Sequence, residues 1–247
     1  MKRLSLALSG GGLLGAAHLG ALHFLEERGV RAQAVAGTSA GGLVASLYAL
    51  GVAMDPVIQV GQEVADHPTD YFDLNWRGLV DEWIRSLGPP TTGLIDPQKF
   101  IHALLNLAPT AHNTDDWRIP TVLTAVDLVQ LESVAFTNRP DGGHPAHGHW
   151  RIAAHQPLTL AMPGLYAAPR LDHALLVDGG VADTLPVDWA AALVPDLVVA
   201  INVAAPAPAP AAEIGILEAL SRSEAYAVTA KYKISNNDNN TSPKRPT

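Results

Sequence analysis

The 247-residue chain is predicted to be an α/β protein built on a mostly parallel central sheet. Three observations predict it. The first fifty residues run strand, glycine turn, helix twice over; the same alternation returns between residues 174 and 202; and a chain that is 48% apolar can bury the core of one large domain. A single domain over residues 1–235 is therefore expected, followed by a polar, disordered tail over 236–247.

Leu4 to Ser9 has a strand's alternation, Gly10 to Gly12 is a turn, and Leu13 to Arg28 has helical spacing that stops at Gly29. Gln33 to Ala36 is a second strand. It enters Gly37-Thr38-Ser39-Ala40-Gly41, after which Gly42 to Leu50 is a helix ending near Gly51. Residues 55–107 are helical but broken by Pro68, Pro89, Pro90 and Gly93, the place for a lid. Ile119 to Val126 and Leu131 to Thr137 form a hairpin joined by a short polar turn, and Asn138 to His149 is a polar loop. Ala174 to Val177 is a strand delivering Asp178-Gly179-Gly180, Val187 to Leu193 is helical, and Leu197 to Asn202 is the last strand. A Pro/Ala linker at Ala205 to Ala212 leads to a closing helix at Glu213 to Ile234.

Composition excludes several functions. With 24 acidic against 16 basic residues the formal charge is −8, which opposes nucleic-acid phosphates. No cysteine means no disulfide, thiolate nucleophile or cysteine-based metal site. Lys2 and Arg3 before an apolar run resemble a signal peptide, yet three glycines interrupt that run, and no stretch reaches the ~18 apolar residues of a membrane span. A soluble, cytoplasmic protein is expected.

Gly37-Thr38-Ser39-Ala40-Gly41 fits the nucleophile elbow, where a strand turns sharply into a helix and strains the serine backbone. Gly37 and Gly41 avoid collisions across the turn, and the following helix aims its dipole and the Ala40 N–H at developing negative charge. The alternative is a glycine-rich corner with an incidental serine. Gly10-Gly11-Gly12-Leu13-Leu14-Gly15 lies between strand and helix, so its N–H groups form an anion cradle for an oxyanion or, because Gly10, Gly12 and Gly15 satisfy GxGxxG, for a dinucleotide pyrophosphate. The dinucleotide reading lacks its ribose acid, since the second strand delivers Ser39 instead. A turn that only lets helix and strand pack closely is the third option. Asp178 is expected at the carboxyl edge of a parallel strand, the same edge as Ser39, where it could take the serine proton directly or simply cap its own Gly179-Gly180 turn.

Gly10-Gly11-Gly12-x-x-Gly15, Gly37-x-Ser39-x-Gly41 and Asp178-Gly179-Gly180 occur in the order of the patatin-like phospholipase family, which the chain resembles over roughly residues 4–203. Met162-Pro163-Gly164-Leu165-Tyr166 and Leu185-Pro186-Val187 resemble that family's segments before and after the aspartate. The resemblance implies a three-layer α/β/α fold, a Ser39–Asp178 dyad, and oxyanion donors among Gly10, Gly11, Gly12 and Ala40. It implies a lipid or other acyl-ester substrate, with transient contact to a membrane surface and no metal or cofactor. Leu14 stands where the family commonly has a basic residue, which bears on preference for phospholipids over neutral esters. Asp183 and Thr184 replace frequent asparagines.

A Ser-His-Asp esterase fits poorly, because Asp178 follows every histidine, His155 and His173 included. His144, His147 and His149 suggest a metal, but a solvated loop explains them better. Trp76 and Trp83, seven apart, suit either an amphipathic flap or core packing; Trp117, Trp150 and Trp189 suit burial. Two further readings stand beside the hydrolase: a nucleotide-binding Rossmann-like module, and a catalytically silent lipid-binding relative.

Overall fold

The computed structural model describes residues 2–74, 95–96, 98–111, 113–139, 149–152, 170–171, 173–193 and 196–203. The expected flap with Trp76 and Trp83, most of the loop with His144 and His147, His155, the Met162 to Tyr166 segment, the linker, the closing helix and the tail lie outside them.

Among the described residues ten strands occur, β1 (Leu4–Leu8), β2 (Ala34–Gly37), β3 (Asp73–Leu74), β4 (Ile95–Asp96), β5 (Thr121–Asp127), β6 (Glu132–Thr137), β7 (His149–Ile152), β8 (Arg170–Leu171), β9 (Ala174–Asp178) and β10 (Leu197–Ile201). The helices are α1 (Ala16–Glu27), α2 (Ala40–Leu50), α3 (Met54–Asp66), α4 (Pro68–Tyr71), α5 (Gln98–Leu105) and α6 (Val187–Leu193). The main sheet has the order β10-β1-β2-β5-β6-β7, with β9 also paired to β5 and β8 to β9. Pairs among β10, β1, β2 and β5 are parallel, as is β6 with β7; β6 and β9 both run antiparallel to β5. The two-residue strands β3 and β4, an antiparallel pair, carry no pattern that the sequence could announce.

Strand alternation divides the core into two layers. Leu6, Leu8, Val35, Leu123 and Ala125 meet Leu19 and Leu22 of α1, Leu43, Leu47 and Leu50 of α2, and Met54 and Val57 of α3. α2 is apolar all round, as suits a helix buried on nearly every side. On the opposite face Ala7, Ala34, Ala36 and Ala135 leave room for Trp189 of α6, with Leu185 and Leu193 beside it. Helices thus cover both faces. α1 and α2 end at left-handed Gly29 and Gly51, as the sequence predicts. The first turn before α1, Gly12–Gly15, is a 3-10 helix rather than α, started by the Leu14 N–H bond to the Gly11 carbonyl.

Two expectations need correction. The turn between β5 and β6 is not polar: Leu128, Val129 and Leu131 are exposed there. The loop expected to run through His149 ends one residue earlier, because His149 already pairs with Val134 of β6.

Candidate active site

β5 positions the site. Its first half pairs with β2, so that Gly37 lies opposite Leu123. Its second half pairs with β9, so that Asp178 lies opposite Ala125. Leu123 and Ala125 are two residues apart, which brings the ends of β2 and β9 within roughly 7 Å along one flank of β5. Asp178 therefore does not sit at the carboxyl edge of a parallel strand. β9 runs antiparallel and meets β2 head to head, and this is why the two side chains converge.

At the end of β2 the chain turns into α2 through Ser39, which holds φ 54° and ψ −127°, a strained backbone for a residue with a side chain. The turn is compressed. A Cβ on Gly37 would collide with the Gly41 backbone, one on Gly41 with the carbonyl oxygens of Leu8 and Ser9, and one on Gly15 with the Ala40 side chain. Ser39 is largely buried, with 9% of its surface exposed.

Asp178 is buried, and its Oδ1 accepts the Gly180 N–H at 2.8 Å. Gly179 lies so close to Thr124 that no side chain fits there. Burial pushes the carboxyl pKa up, while the nearby Ser39 hydroxyl and the Gly180 N–H each pull it part of the way back. Oδ2 has no hydrogen-bond partner among the described residues. The Ser39 hydroxyl is close enough to the carboxyl group to lower its pKa, and the carboxyl keeps an oxygen free to take a proton.

Beside this pair lies the glycine loop. Gly10 N–H is held by the Thr184 carbonyl at 2.8 Å, which removes it as an oxyanion donor. Gly11 and Gly12 N–H have no acceptor among the described residues, and Ala40 N–H belongs to the open first turn of α2. These three remain able to meet an anion.

Residues 6–191 match the family described as patatin-like phospholipase. The chain belongs to that family. This patatin-like chain is 29% identical over 204 residues to an "Uncharacterized NTE family protein" of Mycobacterium tuberculosis, covering 81% of the chain and 49% of the relative. It is 30% identical over 201 residues to the human "Patatin-like phospholipase domain-containing protein 6", covering 81% and 13%. To "Lysophospholipase NTE1" of Mycosarcoma maydis it is 31% identical over 185 residues, covering 74% and 9%. The chain spans at most about half the length of these curated relatives.

The patatin-like motifs rest on a polar scaffold that motif reading missed. Thr38 Oγ1 donates to the Asp183 carbonyl at 3.0 Å and lies 2.6 Å from Thr124 Oγ1; having one proton to give, it must accept the second bond. Thr184 Oγ1 donates to the Gly180 carbonyl at 3.1 Å. Asp183 and Thr184, the departures from the family's asparagines, hold the Asp178 loop largely through backbone groups. Ser9 is fixed three times: its N–H by Ile201, its hydroxyl by the Val203 N–H at 2.9 Å, and its carbonyl by His18 Nε2 at 2.8 Å. A carbonyl only accepts, so His18 carries its proton on Nε2; burial lowers its pKa and keeps it neutral, against the pull of that hydrogen bond. The helical i, i+3 and i+4 spacing hid His18, which looks like one more core position. Trp117 and Trp189 are core residues, as expected.

Proposed function

We propose that this chain is a serine lipid acyl hydrolase working through Ser39 and Asp178. The observation that carries the proposal is the strained Ser39 backbone facing a buried carboxylate whose Oδ2 is unpartnered. As Ser39 Oγ bonds to the acyl carbonyl carbon, its proton passes to Asp178 Oδ2, and the carbonyl oxygen gains negative charge toward the N–H groups of Gly11, Gly12 and Ala40. Collapse breaks the ester C–O bond, and Asp178 returns the proton to the leaving alcohol. Water then attacks the acyl-enzyme, gives its proton to Asp178 and thence to Ser39 Oγ, and releases the fatty acid. The raised carboxyl pKa supports the reading, because an ordinary solvated carboxylate is too weak a base for an alcohol at neutral pH.

A lipid ester substrate agrees with the family and with the lysophospholipase named among the relatives. Leu14, 47% exposed on the glycine loop, offers no cation to a phosphate, which favours neutral acyl esters such as monoacylglycerol over lysophosphatidylcholine. The nucleotide-binding reading is the weaker one, since Gly10 N–H is already bonded within the chain and no carboxylate ends β2. Turnover of p-nitrophenyl butyrate and monoacylglycerol tests the proposal: Ser39→Ala should lower kcat by about a thousandfold or more, and retained turnover would dispose of it.

A further inference from the structure

We infer that the β5–β6 hairpin tip, Leu128 to Leu131, is a lipid-docking wedge that seats the active-site edge of the sheet on a neutral membrane surface; this rests on the lipid hydrolase reading above. Leu128, Val129 and Leu131 are 41%, 57% and 82% exposed, three large apolar side chains within one four-residue turn. Single exposed apolar residues are ordinary, but a cluster on one projecting tip calls for a partner. Leu131 also has φ 57°, a left-handed backbone that is unfavourable for a residue with a β-carbon and that glycine or asparagine would occupy more readily. An exposed leucine held in a strained turn gains nothing for folding, and strain retained at such a place points to use.

The tip is rigid and well placed. Leu128 N–H bonds to the Leu175 carbonyl at 2.9 Å, and Asp127 Oδ1 accepts the N–H groups of Val129 and, at 3.3 Å, Leu175. These bonds fasten the turn to β9, the strand that ends in Asp178. Ala125, opposite Asp178, lies three residues before Leu128, so the tip stands on the order of 10 Å beyond the carboxylate, at the end of the sheet where Ser39 emerges. Apolar groups of interfacial proteins sink about 5–10 Å into the headgroup boundary, which would bring bilayer lipid close to the dyad. A four-residue turn is too small for the ~800 Å² that each partner buries in a stable protein interface, whereas a bilayer needs only the tip. With a formal charge of −8, a zwitterionic surface suits this chain better than an anionic one.

The test is co-sedimentation of the full chain with phosphatidylcholine vesicles, for the parent, Val129→Ser/Leu131→Ser and Leu131→Gly, alongside turnover of p-nitrophenyl butyrate and of a vesicle-embedded monoacylglycerol. The double variant should partition at least about tenfold less into vesicles and hydrolyse the embedded ester correspondingly more slowly, with soluble-ester turnover unchanged. Leu131→Gly should bind less while melting no lower than the parent, which separates docking from folding. Parent-like vesicle binding by the double variant, or no binding by the parent, would overturn the inference. If every protein fails on both esters while the binding difference persists, the hydrolase reading falls and the docking surface stands.

Discussion

In the proposed mechanism Asp178 carries two roles that conflict. Its buried carboxyl has a pKa raised above that of the unfolded chain, so folding is penalised once the pH exceeds the ordinary carboxylate range and the penalty saturates above the folded-state pKa. Asp178→Asn should therefore melt higher than the parent at pH 7–8, the gain vanishing as the pH falls to about 4, while ester turnover is lost. Thermal melts against pH check both the sign and the window. His18 has the opposite chemistry: its folded pKa is lowered, so the unfolded chain takes up a proton first, and stability should fall as the pH drops below about 6.5. His18→Gln keeps a donor for the Ser9 carbonyl and should remove this dependence. His18→Leu leaves that carbonyl buried and unpaired, at a cost of about 1–3 kcal/mol in urea unfolding.

At the scale of elements, the site depends on how closely β1, β2 and α2 approach. Gly41→Ala places a methyl against the Leu8 and Ser9 carbonyls, and should cost about 1–3 kcal/mol and disturb the glycine loop that follows them. Thr38→Val breaks the bond that ties the elbow to the Asp183 carbonyl and the bond to Thr124, so activity should drop more than stability does; kinetics and urea melts on one preparation compare them. Much here was legible in advance. Gly10, Gly15, Gly37, Ser39, Gly41 and Asp178 stand out because turns and close approaches restrict residue type, and strand and helix periods placed them on the right elements. The antiparallel course of β9 was not legible, since a five-residue apolar strand has the same pattern in either direction. Nor was the loss of Gly10 as a donor, because its partner Thr184 lies far along the chain and contributes only its carbonyl.

For the whole molecule, the match to the family ends at residue 191, yet β10 lies beyond it and completes the sheet beside β1. Ile201 and Val203 hold Ser9, and Asp196 pairs with Arg3 at 2.9 Å on the same edge. A chain cut after Leu193 should expose the β1 edge, lose the anchor of the glycine loop and aggregate, which size-exclusion chromatography would report. Among the described residues no helix is long and apolar enough to cross a membrane. Everything rests on an alcohol made nucleophilic by a neighbouring carboxylate, and intact-mass analysis after treatment with a fluorophosphonate reads that property directly. One adduct per chain, located at Ser39 and lost in Asp178→Asn, is the predicted result; an unlabelled parent, or equal labelling of the variant, would contradict it.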